Sequence, residues 1–250
     1  MTPAEALLTA GAGLVAGAVN AVAGGGTLIA FPALLAAGLN PVAANITSSV
    51  GLLAGYLGGS VAYRAELAEQ RDRIRAFLIP AVVGGVVGAM LLLVTPESTF
   101  RSLVPYLVLT SCALLAVQPR LARLLRGAHP QGDGVPIAAR LGVGVAAIYG
   151  SYFGAGLGVL LLALLGILIA DTLQRLNALK GLLSLLVNLT GVAVFVVSGQ
   201  VAWVFALILA VTAYVGGTLG VGVARRLPAS VLRAAVIAFG TIVGIILLVR

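Results

Sequence analysis

Hydrophobic residues form long runs along the whole chain, and short polar stretches separate one run from the next. A bilayer core about 30 Å thick takes about 20 helical residues to cross, so runs of this length predict membrane-spanning helices. Two of the runs, 27–39 and 157–170, are short for a full crossing. The runs lie on both sides of a polar loop at 119–140: 4–22, 27–39, 42–63, 75–94, 101–118, 137–153, 157–170, 173–198, 201–224 and 229–249. This pattern predicts an all-α, polytopic membrane helix bundle.

Composition and charge agree with a membrane protein. Hydrophobic residues make up 61% of the chain and charged residues 9%, whereas a soluble domain carries about 25% charged residues. The net charge is +8, but most arginines lie next to the ends of apolar runs, where the positive-inside rule accounts for them. The basic stretches lack the interleaved aromatic residues that stack on bases. We therefore expect a lipid bilayer, and no nucleic acid, as a partner.

Residues that could carry catalysis are scarce. The chain has one cysteine, Cys112, and one histidine, His129, which is too few for a disulfide or a zinc site. It contains no Walker-type loop and no GxSxG or HExxH element. We therefore expect no metal, no cofactor, no ATP use and no enzymatic activity.

The two sets of runs resemble each other at a nearly constant spacing, which indicates an internal repeat. The predicted units are residues 1–118 and 137–250, joined by a cytoplasmic linker at 119–136. Matching residues lie 130 positions apart in the first two pairs and 132 in the others: Gly24 and Gly26 with Gly154 and Gly156, Asn45 with Asn177, Gly59 with Gly191, Tyr63 with Phe195, Gly84, Gly85 and Gly88 with Gly216, Gly217 and Gly220, and Pro96 with Pro228.

The distribution of arginine predicts the orientation of the helices. Arginine-rich stretches at 64–75, 119–140 and 225–233 predict cytoplasmic loops, and the turns at 40–41, 95–100 and 199–200, poor in positive charge, predict outer ones. Both termini then lie outside. Because each unit holds an odd number of runs, the second unit is inverted relative to the first, an arrangement found in many secondary transporters.

A glycine element interrupts each unit before its short run. Gly24, Gly25 and Gly26 form one break, and Gly154 and Gly156 flank Ala155 in the other. A non-helical backbone is tolerated at membrane depth only where it is buried in protein or lines a cavity. Short helices restarting at Thr27 and Leu157 would direct unpaired N–H groups and a positive dipole end inward, which favours an anion. The alternative is that these glycines only allow close helix packing.

The long third helix of each unit carries polar residues at helical spacing. Polar groups in a span usually face the bundle interior, where they either line a substrate site or only tie helices together. The two stripes are Asn45, Ser49, Tyr56, Gly59 and Tyr63, adjoined by Thr47 and Ser48, and Asn177, Gly181, Ser184, Asn188 and Gly191, adjoined by Lys180. Their matching positions predict one central site.

Lys180 is the only lysine, and it lies roughly 13 Å inside its helix. A charge at this depth costs about 3 kcal/mol on insertion scales, and no acidic residue stands within two turns, so the substrate anion is a candidate counter-ion. The alternatives are snorkelling to the surface and a neutral buried lysine. Asp171 is predicted to cap this helix, and Asn40 with Pro41 to begin the third helix. The charged side chains of 64–75 are predicted to be solvated.

The stretch GLVAGAVNAVAGGGTLIAFPALLAAGLNPVAANITSSVGLLAGYLGGSVAYR at 13–64 resembles the N-terminal signature of the sulfite exporter TauE/SafE family. In this resemblance the glycine-rich break is followed by Pro32, and the run Ala44-Asn45-Ile46-Thr47-Ser48 opens the next helix. The run RLNALKGLLSLLVNLTG at 175–191 resembles the corresponding C-terminal element. The resemblance implies transport of small sulfur-containing or organic anions, such as sulfite, sulfonates or thiosulfate, across a bacterial-type plasma membrane.

The expected function is therefore a secondary transporter of a small anion that works by alternating access between the two units. The expected binding residues are Gly24, Gly25, Gly26, Thr27, Asn45, Thr47, Ser48, Gly154, Gly156, Asn177 and Lys180. A passive anion channel of the same fold is the alternative, because acidic residues that could carry protons are scarce in the runs. A homo-oligomer is compatible with the sequence, as is a monomer.

Overall fold

The structure is a computed structural model that describes residues 1–22, 25–124, 135–224 and 229–249. Every regular element in these ranges is an α-helix, as predicted. The helices are α1 (Pro3–Val22), α2 (Thr27–Ala36), α3 (Pro41–Ala62), α4 (Arg64–Ala68), α5 (Arg71–Val94), α6 (Glu97–Leu124), α7 (Ile137–Tyr152), α8 (Leu157–Leu168), α9 (Leu173–Val197), α10 (Trp203–Ala224) and α11 (Ala229–Val249).

Helix starts follow local sequence signals. α2 begins at Thr27 and α8 at Leu157, directly after the two glycine elements, as predicted. α3 begins at Pro41, and the Asn40 side chain accepts a hydrogen bond from the Ala43 N–H at 2.8 Å, which is the predicted cap. α4 is an additional short helix that no apolar run indicates.

The polar ends of the long helices differ from the predicted segments. α6 continues to Leu124, so the first part of the predicted linker 119–136 is helical, because a helix can extend beyond its apolar stretch. The rest of that prediction falls largely on 125–134, which lies outside the described residues, as do 225–228 and Gly24.

The outer surface of the bundle is apolar. Within the described ranges, three helical segments are long and apolar enough to cross a membrane: Arg71–Val94, Glu97–Val117 and Gln174–Val197. Large apolar side chains point outward from several helices, with Leu7, Ile79 and Val197 between 70% and 87% exposed. A surface of this kind is unfavourable in water and suits lipid. The chain is a membrane helix bundle.

The helix formed by the fourth apolar run of each predicted unit packs against the other unit. α10 packs against α1 and α3, and α5 packs against α7 and α9. These two helices are matched by the 132-residue offset that takes Gly84 onto Gly216. Other pairings also recur in the two units. α1 packs against α2 and α3 as α7 packs against α8 and α9, and α6 packs against α8 as α11 packs against α2. In addition, the matching helices α6 and α11 pack on each other, as do α3 and α9. The helix packing therefore follows the repeat of the sequence.

Glycines bring α5 into backbone contact with α7, and α10 into backbone contact with α1. A Cβ placed on Gly84 or Gly88 of α5 would overlap a backbone carbonyl of α7, at Gly144 and Ile148 respectively. In the equivalent pair, a Cβ placed on Gly216 of α10 would overlap the Leu14 carbonyl of α1. Small residues allow this close approach where helices associate without a hydrophobic driving force. Gly84, Gly88 and Gly216 therefore serve close helix packing.

Candidate substrate-binding site

The two glycine breaks differ in backbone conformation. Gly154 and Gly156 both have a φ of +82°, in the left-handed region that glycine tolerates, and α8 restarts directly after Gly156. Gly26 instead has a φ of −60° and already lies in the right-handed helical region before α2. The second break is therefore a sharp reversal, whereas the described part of the first leads smoothly into its short helix.

The start of α2 lies beside the second break. A Cβ placed on Gly154 would lie 3.8 Å from the Thr27 hydroxyl, and Thr27 is buried at the first position of α2. One turn further along α2, the Phe31 ring packs edge-on against the Phe153 ring, with 5.5 Å between centroids. The structure therefore brings together Thr27 and Gly154, which belong to opposite units.

In each break, one backbone group is bonded by the side chain six residues earlier in the chain. The Asn20 side chain accepts the Gly26 N–H at 2.8 Å, and the Tyr149 hydroxyl donates to the Ala155 carbonyl at 2.8 Å. Ser111 of α6 donates to the same carbonyl at 3.0 Å. These contacts meet the requirement that backbone polar groups at membrane depth find partners in protein.

The first turn of α2 is also hydrogen-bonded within the protein. The N–H groups of Leu28 and Ile29 donate to the carbonyls of Gly25 and Gly26, at 3.1 and 3.0 Å. The sequence had indicated unpaired N–H groups at this position, and these two are paired. Side chains near the breaks are therefore stronger candidates for ligand contacts than these amides.

Asn45 joins α3 to the end of α7 immediately before the second break. Its Nδ2 donates to the Tyr152 carbonyl at 2.8 Å, and its side chain is fully buried. Ser48 donates to the Asn45 carbonyl at 2.9 Å, and Thr47 accepts the Ala202 N–H at 3.1 Å. Thr47 therefore ties α3 to the residue before α10, whereas Ser48 bonds within α3. The Asn45 side-chain oxygen is buried and has no hydrogen-bond partner among the described residues.

Lys180 lies over the first turn of α8. A Cβ placed on Gly158 would lie 3.7 Å from Lys180 Cδ and 4.0 Å from its Nζ. Among the residues that the structure describes, Lys180 forms no salt bridge, and both it and Asn177 are partly buried. A cation beside a helix N-terminus is unfavourable because both carry positive charge. An anion placed between them would be stabilised by both.

The prediction that Asp171 caps the start of α9 is wrong. Thr172 is the N-cap and accepts the Arg175 N–H, whereas Asp171 binds the guanidinium groups of Arg73 and Arg175. Partial burial raises the pKa of Asp171, but its bonds to Arg73 and Thr172 and the two positive charges outweigh this and leave that pKa below its ordinary value. Asp171 is therefore a paired carboxylate.

The charged stretch at 64–75 was predicted to be solvated, and part of it is docked on the start of α9. Gln70 is buried and donates to the Arg175 carbonyl at 3.0 Å. Glu69 pairs with Arg175 at 2.7 Å, and Glu66 accepts from Gln174 at 2.8 Å. These contacts tie the two units together at the end predicted to be cytoplasmic, while Asp72 and Arg75 remain exposed as expected.

Comparison with known proteins settles the family. The model of the sulfite exporter TauE/SafE family matches residues 9–247, which is nearly the whole chain. The chain belongs to the sulfite exporter TauE/SafE family. No solved structure gives a significant match.

Relatives of this TauE/SafE chain are described as membrane transporters. "Probable membrane transporter protein YfcA" of Escherichia coli K12 is 26% identical over 208 residues, covering 83% of this chain and 76% of that protein. A "Probable membrane transporter protein" of Haemophilus influenzae is 27% identical over 211 residues, covering 83% and 80%. A third, "Probable membrane transporter protein ORF9" of a Sinorhizobium species, is 24% identical over 210 residues, covering 84% and 79%.

Sequence reasoning about this TauE/SafE chain missed the residues that support the breaks. Asn20 and Tyr149 had a usable signal, because each is a polar side chain in the last turn or so of an apolar helix that leads into glycines. Ser111 had none, since it reaches Ala155 from a helix 44 positions earlier in the chain.

Proposed function

We propose that the protein is a secondary transporter of small anions, such as sulfite, sulfonates or thiosulfate, and not an enzyme. The observation that carries the proposal is Lys180, which lies beside the N-terminal turn of α8 without a carboxylate partner among the described residues. An anion at this position would be attracted by the ammonium group and by the dipole of a 12-residue helix. Membership of a family of sulfite exporters supports the same substrate class.

The proposed route is alternating access at a site between two inverted repeats, with units 1–118 and 137–250. The recurrence of helix pairings in the two units supports the repeat. The inversion rests on the arginine distribution, which also puts both termini outside a bacterial-type plasma membrane. The adjacency of Thr27 and Gly154 supports a common centre for the two breaks.

Three groups of residues have separate roles in this proposal. Lys180, Asn177, Thr27 and Asn45 would contact the anion through side chains. Thr47 and Ser48 would act through the position of α3, because their hydroxyls bond within the protein. The backbone at Gly25, Gly26, Gly154 and Gly156 would place the starts of the two short helices near the centre.

A passive anion facilitator is the second candidate, and one observation favours it. Proton-coupled transport generally uses an acidic or histidine side chain within the membrane. Asp171, just before the start of α9, is held by Arg73 and Arg175. Its lowered pKa makes it a poor proton carrier near neutral pH.

Uptake of labelled sulfite, sulfoacetate and thiosulfate into proteoliposomes tests both candidates. The transporter proposal expects saturable uptake of at least one anion that responds to an imposed proton or sodium gradient. Uptake that ignores both gradients would favour the facilitator. Purified, folded protein that transports none of the three anions would contradict the anion assignment.

Lys180→Ala tests the role of the lysine, with Arg101→Ala as a control that removes one positive charge from an exposed position of α6. We expect Lys180→Ala to lower anion uptake at limiting concentration by about tenfold or more, as for the loss of one charged hydrogen bond. Arg101→Ala should behave as wild type. Normal uptake by Lys180→Ala at wild-type expression would refute the lysine–anion contact.

A further inference from the structure

Two buried serines of the bundle have hydroxyls without hydrogen-bond partners. Ser151, at the end of α7, is 5% exposed and Ser184, in the middle of α9, is 2% exposed. Neither Oγ atom has a partner among the described residues. Buried side-chain polar atoms are nearly always hydrogen-bonded, so an exception calls for a specific explanation.

Ser184 lies on the same face of α9 as the lysine. It follows Lys180 by four positions, which is about one helical turn, and Asn188 follows by another turn. The Asn188 side chain donates to the Ser184 carbonyl at 2.8 Å and is itself buried. Ser184 therefore lies one turn along α9 from Lys180, whose side chain faces the start of α8.

Ser151 faces the continuation of this stripe. A Cβ placed on Gly191 would overlap the Ser151 hydroxyl, so only a glycine leaves room for Ser151 at this point of α9. Gly191 follows Asn188 by three positions on the same face. Residues Lys180, Ser184, Asn188 and Gly191 thus form one line along α9, from the start of α8 to Ser151 at the end of α7. We name these five residues the polar seam. Along α9 it is about 16 Å long.

An ordinary structural role does not account for these two hydroxyls. A serine or threonine in an apolar helix usually donates to the carbonyl four residues earlier. Thr212 does so at 2.7 Å, and so does Thr190, which lies on α9 next to the polar seam. Ser151 and Ser184 leave this option unused, so their protons remain available in a buried site that also holds a cation.

We propose that the hydroxyls of Ser184 and Ser151 donate hydrogen bonds to the transported anion as it passes along the polar seam. Ser184 completes the site at Lys180, and Ser151 provides a second contact toward the end of α7. Neutral donors suit this task, because a transported ion has to bind well enough to enter and weakly enough to leave. The proposal rests on the anion transport proposed above and adds two residues to its site.

Ser184→Ala and Ser151→Ala test the proposal, with Thr190→Val as the matched control. Thr190→Val removes a hydroxyl of nearly the same depth that is already bonded within α9. Sulfite uptake by proteoliposomes gives the apparent KM and the maximal rate. The midpoint of thermal unfolding in detergent, with and without sulfite, reports binding separately from transport.

We expect each serine variant to raise the apparent KM by about tenfold, the usual effect of one hydrogen bond to a charged group. Each should also unfold at the same or a higher temperature than wild type without sulfite, because an unpartnered buried hydroxyl is removed. Sulfite should raise the midpoint less in these variants than in wild type. Thr190→Val should keep the wild-type KM and the full response to sulfite.

Other outcomes would overturn the proposal at different levels. An unchanged KM in both serine variants, beside an active wild type, would show that the hydroxyls do not contact the anion. A lower midpoint without sulfite would give them a structural role and would also reject the proposal. Wild-type protein with neither sulfite uptake nor a sulfite-dependent midpoint would contradict the anion assignment itself, and the proposal with it.

Discussion

Gly88→Ala and Gly216→Ala test the close backbone contacts of α5 with α7 and of α10 with α1. A Cβ on Gly88 would overlap the Ile148 carbonyl, and one on Gly216 would overlap the Leu14 carbonyl. In both cases the obstacle is backbone rather than the end of a flexible side chain. The added methyl group therefore has to push two helices apart.

The expected magnitude is a balance of two effects. Forcing an extra carbon into a well-packed core typically costs about 1–3 kcal/mol. Replacing a helical glycine with alanine returns about 0.5–1 kcal/mol of backbone entropy. We therefore expect each variant to lose about 1–2 kcal/mol, which corresponds to a fall of about 2–8 °C in Tm for a chain of this size.

Gly11→Ala is the matched control, because Gly11 lies on α1 with no atom within 4 Å of an added Cβ. This variant should gain about 0.5–1 kcal/mol. Thermal unfolding in detergent measures all three variants side by side. If Gly88→Ala and Gly216→Ala were as stable as Gly11→Ala, the backbone contacts between α5 and α7 and between α1 and α10 would be wrong.

Two further predictions concern the break and the paired carboxylate. Tyr149→Phe and Ser111→Ala should each cost about 1 kcal/mol of stability. The double variant should lose more than the sum, because it alone removes both of these donors from the Ala155 carbonyl. Additive losses in a double-mutant cycle would contradict this. Asp171→Asn should lose about 1 kcal/mol of stability at pH 7. The folded pKa of Asp171 is lowered, so its stabilising contribution is present above the unfolded pKa of about 3.9 and disappears as pH falls through the folded pKa. The stability difference between wild type and variant should therefore close below about pH 4, and a difference that persists there would contradict the ion pair.

Features that depend on neighbouring residues could be predicted from the sequence. Glycines that break a helix specify where the next one begins, so the starts at Thr27 and Leu157 followed from the sequence. The Asn40 cap and the membrane helix bundle followed for the same reason, since capping and apolar runs are local signals.

Contacts between distant parts of the chain could not be predicted in this way. Arg73 and Asp171 are 98 positions apart, and no periodic pattern links them. The partner of Asn45 is a carbonyl 107 positions away. The free hydroxyls of Ser151 and Ser184 are visible only once the neighbours of each atom are known, because serine in a span usually bonds to its own helix.

The glycine contacts also constrain which helices can move together in an alternating-access cycle. Separating α5 from α7, or α10 from α1, would break backbone contacts that only glycine permits. In such a cycle we expect α5 to move with α7 and α9, although it belongs to the first predicted unit, and α10 to move with α1 and α3. The bodies that rock would then be these mixed helix groups rather than residues 1–118 and 137–250. The side chains of the polar seam all lie on α7 and α9 and would therefore belong to one of the two bodies. Motion of one body relative to the other would open or close access to the polar seam without separating these side chains from each other.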